Sequence, residues 1–286
     1  MIGIFDSGIG GLTVVKEIIK KFPANDLLYL GDTARAPYGD KSPELIKQYT
    51  KENINWLVAQ GAKIVVVACH SSSVVARDII AQESPVPVFD MVSSTVKLAI
   101  NSTRNGRIGI LGDRATVGSG QYERMILAKK DKKIDSVENE IRLRMPAFSR
   151  RKQAKDQKEI KVFSQAAPLL VPLVEEGWLD KPETKRILKG YLRPLKAKQI
   201  DTLVLASTHY PLLQKLIEPR IGKSVKVIDP GREVVLELDY FLRNNLEINS
   251  QLSQTKKRLF FVSDISPHFI DIAERWLGRS ISLLKK

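Results

Sequence analysis

A chain of 286 residues, 43% hydrophobic and 27% charged, has the composition of a soluble globular protein with room for two domains that each bury a core. No apolar run approaches the roughly 18 residues of a membrane span, the N-terminus enters a strand without a secretion-signal pattern, and a single cysteine precludes an internal disulfide, so the expected location is a reducing cytoplasm with no membrane contact. The net charge of +14 is uneven: residues 129–160 carry eleven Lys/Arg against six Asp/Glu, and residues 181–198 seven against one. Such faces suit a nucleic acid or an acidic protein partner. Without interleaved aromatics or a nucleic-acid motif, the favoured reading is a solvated lysine-rich surface.

In chain order, Ile2–Phe5 reads as a strand that breaks into Asp6, Ser7 and the glycine turn Gly8–Gly11 before a helix with apolar spacing over Leu12–Lys21. The turn GIGG lacks the spacing of a dinucleotide fingerprint, and is expected instead to approach a small ligand closely. Leu27–Leu30 is the second strand and empties into a polar loop from Gly31 to Gly39, too elaborate for a mere connector. A helix over Glu44–Gln60 leads to Ile64–Ala68, an apolar run without alternation, the pattern of a parallel strand covered on both faces. At its carboxyl end stands Cys69, followed by His70, three serines and a helical pattern over Val74–Ile80. Open α/β sheets bind ligands at strand ends of this kind, and a helix N-terminus there is expected to lower the thiol's pKa. As a free cysteine, Cys69 also fits a small apolar core role.

The pattern recurs. Ile108–Gly112 (IGILG) repeats the opening IGIFDSG about 106 residues on, and the strand Leu203–Ala206 ends in Ser207, Thr208 and His209, about 138 residues after Cys69. The difference of about 32 residues marks an insertion in the second half, read as a charged surface excursion at 129–160. Strands are expected over Arg107–Leu111, Val225–Ile228 and Leu259–Val262. Helices are expected over Tyr122–Lys130, Glu233–Asn245 and Pro267–Leu277, the last stopped by Gly278, and a short helix or a strand-helix unit over Ala166–Glu175. The fold class that follows is α/β: two pseudo-symmetric three-layer α/β/α domains with mostly parallel sheets and a cleft between them. One domain takes residues 1–92 plus 211–286, the other residues 93–210.

FDSGIGGLTV, YLGDTARAPYG, the strand ending in Cys69, LVPLVEEGW at 170–178 and STHYPLL at 207–213 together resemble the glutamate racemases of the aspartate/glutamate racemase superfamily. The resemblance implies cofactor-free removal and return of an α-proton by one cysteine from each half, a homodimer, and D-glutamate supply for peptidoglycan. It further implies catalytic roles for Cys69, for the position of Ser207, for His209 and for Asp6. Substrate contacts are implied at Ser7, Asp32, Pro37, Tyr38, Gly39, Thr116 and Thr208, and at the positions of His70 and Ser71, with support from Glu175. No metal is implied. The chain departs from the family where Cys-Asn-Thr becomes Cys69-His70-Ser71, Gly-Cys-Thr-His becomes Ala206-Ser207-Thr208-His209, Glu-Pro becomes Ser93-Ser94, and Thr becomes Asp113.

A serine hydroxyl does not titrate near neutral pH as a thiol can, so three readings are open. The first is a racemase of glutamate or a similar small acidic amino acid with altered or impaired two-base chemistry, Ser207 acting with His209 as a Ser-His pair. The second is single-face carbanion chemistry, exchange or decarboxylation, on Cys69 alone. The third is an inactive binding or regulatory homologue.

Overall fold

The computed structural model describes residues 1–82, 84–132 and 159–286. Among the described residues, ten strands form two wholly parallel sheets: β1 Ile2–Asp6, β2 Leu27–Gly31, β3 Ile64–Val67, β4 Val88–Asp90, β9 Arg258–Val262 and β10 Leu283–Lys285 in one, and β5 Arg107–Gly112, β6 Lys161–Ala166, β7 Thr202–Ala206 and β8 Lys226–Ile228 in the other. The orders are β10-β9-β2-β1-β3-β4 and β6-β5-β7-β8. Stripped of β9 and β10, the first sheet repeats the second, with the opening strand of each half beside the third and the second strand on its far side. Each sheet therefore reverses direction of travel between its two central strands, and the carboxyl ends of β1/β3 and of β5/β7 are its ligand-binding positions.

The uninterrupted apolar runs are buried on both faces, as a helix-covered parallel sheet requires: all four residues of β3 and all five of β7 are buried. The helix Pro182–Ala197 turns Leu188, Leu192 and Leu195 inward and keeps Arg186, Lys189 and Arg193 exposed, so the basic run at 181–198 is the outer face of an amphipathic helix. The insertion read at 129–160 lies almost wholly outside the described residues.

Two expectations are corrected and a third is met. The strand at 225–228 pairs with β7 in register Thr202↔Lys226, so the chain leaves the second sheet only after Ile228, and not near residue 210. The helix after Cys69 begins at His70, not Val74, running to Val75 before a break at Ala76 and a second helix, Arg77–Gln82. Small hydroxyl residues hide its first turn in the sequence, but Ser73 makes the turn work by donating to the carbonyls of Val67 and Cys69. The Ala166–Glu175 stretch is the strand-helix unit expected of it, the end of β6 followed by a helix, Leu170–Glu175.

Candidate active site

The two pairs of central strand ends face one cavity of about 220 Å³, small beside the roughly 300–1,000 Å³ typical of drug-sized ligands. From β1 and β3 it receives Asp6, Ser7, Cys69, His70 and Ser71, and from the second sheet Asp113, Ser207, Thr208 and His209. Pro37, Tyr38, Gly39 and Asp40 of the loop after β2, and Pro168, Val171, Pro172 and Glu175 before and within the helix Leu170–Glu175, complete most of its wall. Cys69 and Ser207 thus share one hollow, the arrangement required of two groups that act on one small ligand. A wider surface hollow of about 500 Å³, lined by Arg104, Lys196 and Asp201 among others, contains none of the residues expected at the site.

The glycine turn explains how the two lobes close on each other. A Cβ on Gly10 would lie 2.1 Å from Thr208 Oγ1 and 2.6 Å from the His209 ring, so only glycine admits the second-lobe cluster at this distance. The close approach is thus to the other half of the protein, where the sequence suggested a ligand. Tyr29 fixes the same turn by donating to the Gly8 carbonyl at 2.6 Å, and Thr13 Oγ1 crosses to the Thr208 carbonyl at 3.0 Å.

Cys69 is buried and its thiol donates to Ser7 Oγ at 3.4 Å. Burial, and after it the negative charge of Asp6, push the thiol up to about 11, so the sulfur holds its proton at neutral pH. This reverses the expected lowering: the helix that starts at His70 has only six residues, and its N-terminus is outweighed by desolvation and a neighbouring carboxylate. Asp6, itself raised mainly by burial, accepts from the Gly8 N–H at 3.0 Å.

On the other lobe, His209 Nε2 meets Glu175 Oε1 at 2.9 Å, and Nδ1 lies 3.5 Å from Thr208 Oγ1. Burial works to lower the imidazole's pKa, but the hydrogen bond and charge of Glu175, with Asp6 and Asp113, raise it above its ordinary value. Ser207 Oγ takes part differently from the expected Ser-His pair, since it accepts the backbone N–H of His209 at 3.4 Å while the ring is turned to Glu175 and Thr208. His70 is buried, neither of its ring nitrogens has a hydrogen-bond partner among the described residues, and burial followed by the nearby His209 lowers its pKa to about 3.

Two expected contacts do not line the cavity. Asp32 is a buried hub: its carboxylate accepts from the Tyr38 hydroxyl, from Arg35 Nε at 2.7 Å, from Asn53 Nδ2 at 3.0 Å and from Ser263 Oγ at 2.9 Å. It holds the loop that presents Tyr38. Thr116 is buried behind Asp113, which caps its backbone N–H at 2.7 Å. Asp113 itself reaches the cavity and accepts from Ser71 Oγ at 3.1 Å, joining the lobes. Its place follows from the internal repeat, in which it stands at the position of Ser7. Arg114 also lines the wall and pairs with Asp40 at 3.0 Å. Among the described residues no group of three His, Cys, Asp or Glu is placed to hold a metal ion.

This geometry defines a two-lobed α/β protein with a proton-bearing thiol facing a hydroxyl and imidazole cluster, and the comparisons agree. Residues 2–168 match the family model described as Asp/Glu/Hydantoin racemase. The chain is 38% identical to a glutamate racemase of Syntrophus aciditrophicus over 280 residues, covering 98% of this chain and 93% of that one. It is 39% identical to a glutamate racemase of Geobacter metallireducens over 277 residues, covering 97% and 92%. Among solved structures, the glutamate racemase isoform RacE1 of Bacillus anthracis superposes with a TM-score of 0.83 at 31% identity, covering 100% of this chain and 97% of that one. The Francisella tularensis glutamate racemase in complex with D-glutamate gives a TM-score of 0.82 at 31% identity, covering 100% and 96%. The chain belongs to the aspartate/glutamate racemase family.

Proposed function

We propose that the protein is a glutamate-racemase-like isomerase that moves the α-proton of glutamate or a similar small acidic amino acid without a cofactor. The observation that carries this reading is the shared cavity of about 220 Å³ in which Cys69 and the Ser207–Thr208–His209 cluster come from equivalent strand ends of two sheets of the same order. In this reading Cys69, protonated at rest, returns a proton to one face of the substrate carbanion or, as thiolate, removes it. His209, its pKa raised by Glu175, and the Ser207 hydroxyl serve the other face. Asp6 and Ser7 hold the thiol; Pro37, Tyr38, Gly39, Ser71 and Thr208 bound the substrate. The protein would work as a cytoplasmic homodimer supplying D-glutamate for peptidoglycan, the setting the resemblance implies.

Because Ser207 Oγ has only a backbone N–H as its partner here, abstraction on its face lacks a thiolate and turnover is slower than in a two-thiol relative. Circular dichroism of L-glutamate and of D-glutamate, each incubated with the protein, tests the activity. Both signals should decay to the racemic endpoint. Persistence of both at substrate-to-protein ratios near one overturns the reading.

A further inference from the structure

The helix Pro43–Ala59 packs Ile46, Ile54 and Leu57 into the core beside Phe5, Val65 and Val67, yet the same buried face carries Asn53, which has no exposed area. A buried amide destabilises the fold unless both of its ends are bonded. Both are, and to groups outside the helix. Asn53 Nδ2 donates to Asp32 Oδ2 at 3.0 Å and to the Tyr38 hydroxyl at 3.1 Å, while Oδ1 accepts from Lys286 Nζ at 2.7 Å and from Arg35 at 3.5 Å. The two ends of an amide have nearly the same shape, so the neighbouring donors and acceptors decide which way it faces. Lys286 can only donate, and a carboxylate can only accept. Asp32 is a carboxylate: burial pushes its pKa up, but the bonds from Tyr38, Asn53 and Ser263 and the charge of Arg35 hold it below the ordinary value. The Lys286 ammonium also sits over the Trp56 ring of the same helix, 5.7 Å from its centre. Beyond the amide, the Tyr38 hydroxyl donates to Asp32, and Tyr38 lines the cavity with Pro37 and Gly39.

We propose that Asn53 is a positioning residue for the cavity wall, its amide set by Lys286 so that its N–H groups hold the Tyr38 hydroxyl, and with it the Pro37–Gly39 turn, in place for the substrate. The proposal rests on the reading of that turn as part of the substrate site. Asn53 itself does not line the cavity and acts through Tyr38 and Asp32. Turned the other way, the amide would set its carbonyl oxygen against the Asp32 carboxylate and release Tyr38. The titratable groups around the amide are Asp32, Arg35, Tyr38 and Lys286, with Glu52 paired to Arg35 and Cys69 acting on Tyr38 through its charge.

The test uses the full chain carrying Asn53→Asp, Lys286→Met or Lys286→Arg, with glutamate turnover measured across pH and the Tyr38 ring followed by NMR of protein labelled at the tyrosine ζ carbon, its signal assigned with Tyr38→Phe. The carboxyl introduced at position 53 can donate to Asp32 while it keeps its proton, and repels Asp32 once it loses it. KM of Asn53→Asp relative to the unmodified protein should therefore rise by about tenfold between roughly pH 5 and 8, the worth of one hydrogen bond to a charged group. The kcat profile should keep its shape, because no reacting group is touched, and the Tyr38 signal should move over the same pH range while staying fixed in the unmodified protein. Lys286→Met should raise KM by about threefold or more and shift the Tyr38 signal, and Lys286→Arg, which keeps the donor, should restore both. A KM ratio and a Tyr38 signal that ignore pH overturn the proposal, as does a loss carried by kcat with KM unchanged. If Asn53→Asp does not fold, the exposed Lys286 pair decides: unchanged KM and signal in Lys286→Met overturn the proposal. If the unmodified protein turns over no glutamate, the substrate reading fails, and the Tyr38 signal alone judges Asn53, movement supporting the proposal and constancy overturning it.

Discussion

The ends of β3 and β7 are the same place in two copies of one architecture, and they carry different chemistry. At β3 a thiol is enclosed with Asp6 and keeps its proton, near an imidazole that burial keeps uncharged and that has no hydrogen-bond partner among the described residues. At β7 a hydroxyl stands in the thiol's place, and the imidazole two residues on is tied to a carboxylate that, against the effect of burial, raises its pKa. The two sheets share one strand order, their side chains differ at the strand ends that face the cavity, and their central strands are apolar and buried in both. Two similar histidines are thus shifted in opposite directions by what stands beside them: His70 downward by burial and then by His209, His209 upward by Glu175 against its own burial.

The largest break in this comparison is the removal of its active half. Cys69→Ala should lower α-proton exchange on either enantiomer by about 10²–10⁴-fold, the range for loss of a positioned acid-base group, as measured by NMR of the α-proton. Undiminished exchange would place the chemistry elsewhere. Next in size is erasing the asymmetry: Ser207→Cys, which gives both lobes a thiol, should raise the rate of optical inversion about tenfold or more, read by circular dichroism, and a fall would show that the hydroxyl is itself required. A smaller effect sharpens the first half. Asp6 adds to burial in raising the Cys69 thiol to about 11, so Asp6→Asn should move the alkaline limb of the exchange profile to lower pH. A limb that moves upward would mean that Asp6 assists deprotonation.

The smallest effect is one of stability, far from the cavity. Asp26 accepts from the N–H groups of Thr255 and Lys257 at 2.8 and 2.9 Å and from the Thr255 hydroxyl, pinning the start of β2 to the turn before β9. Desolvation pushes its pKa up, but these bonds outweigh it and hold the group at about 2. A carboxylate depressed in the folded state stabilises above its unfolded pKa of roughly 3.9, and that contribution is lost as pH falls through about 2. Asp26→Asn should therefore lower Tm by roughly 2–4 °C at pH 7, with the difference closing as pH falls toward 2, by calorimetry.

The strands that build the core could be read in the sequence because burial on both faces leaves a run such as Ile64–Val67 without polar interruption. β6 and β10 could not, because they are edge strands with exposed residues such as Ser164 and Lys285. At the site, Cys69 and the Ser207–His209 cluster were legible as small polar residues after apolar strands. The engagement of Asp32 with four side chains and the direction of the Cys69 shift were not. Both depend on neighbours distant in sequence: Asn53 and Ser263 for the first, burial and Asp6 for the second.

The central claim is that one thiol and one hydroxyl address opposite faces of a single small amino acid. Incubating the unmodified protein with each glutamate enantiomer in D2O, and following α-deuteration together with optical inversion, tests it most directly. The account predicts deuterium incorporation from both enantiomers, accompanied by inversion. Deuteration of one enantiomer with no inversion would contradict it, leaving Cys69 to work one face alone.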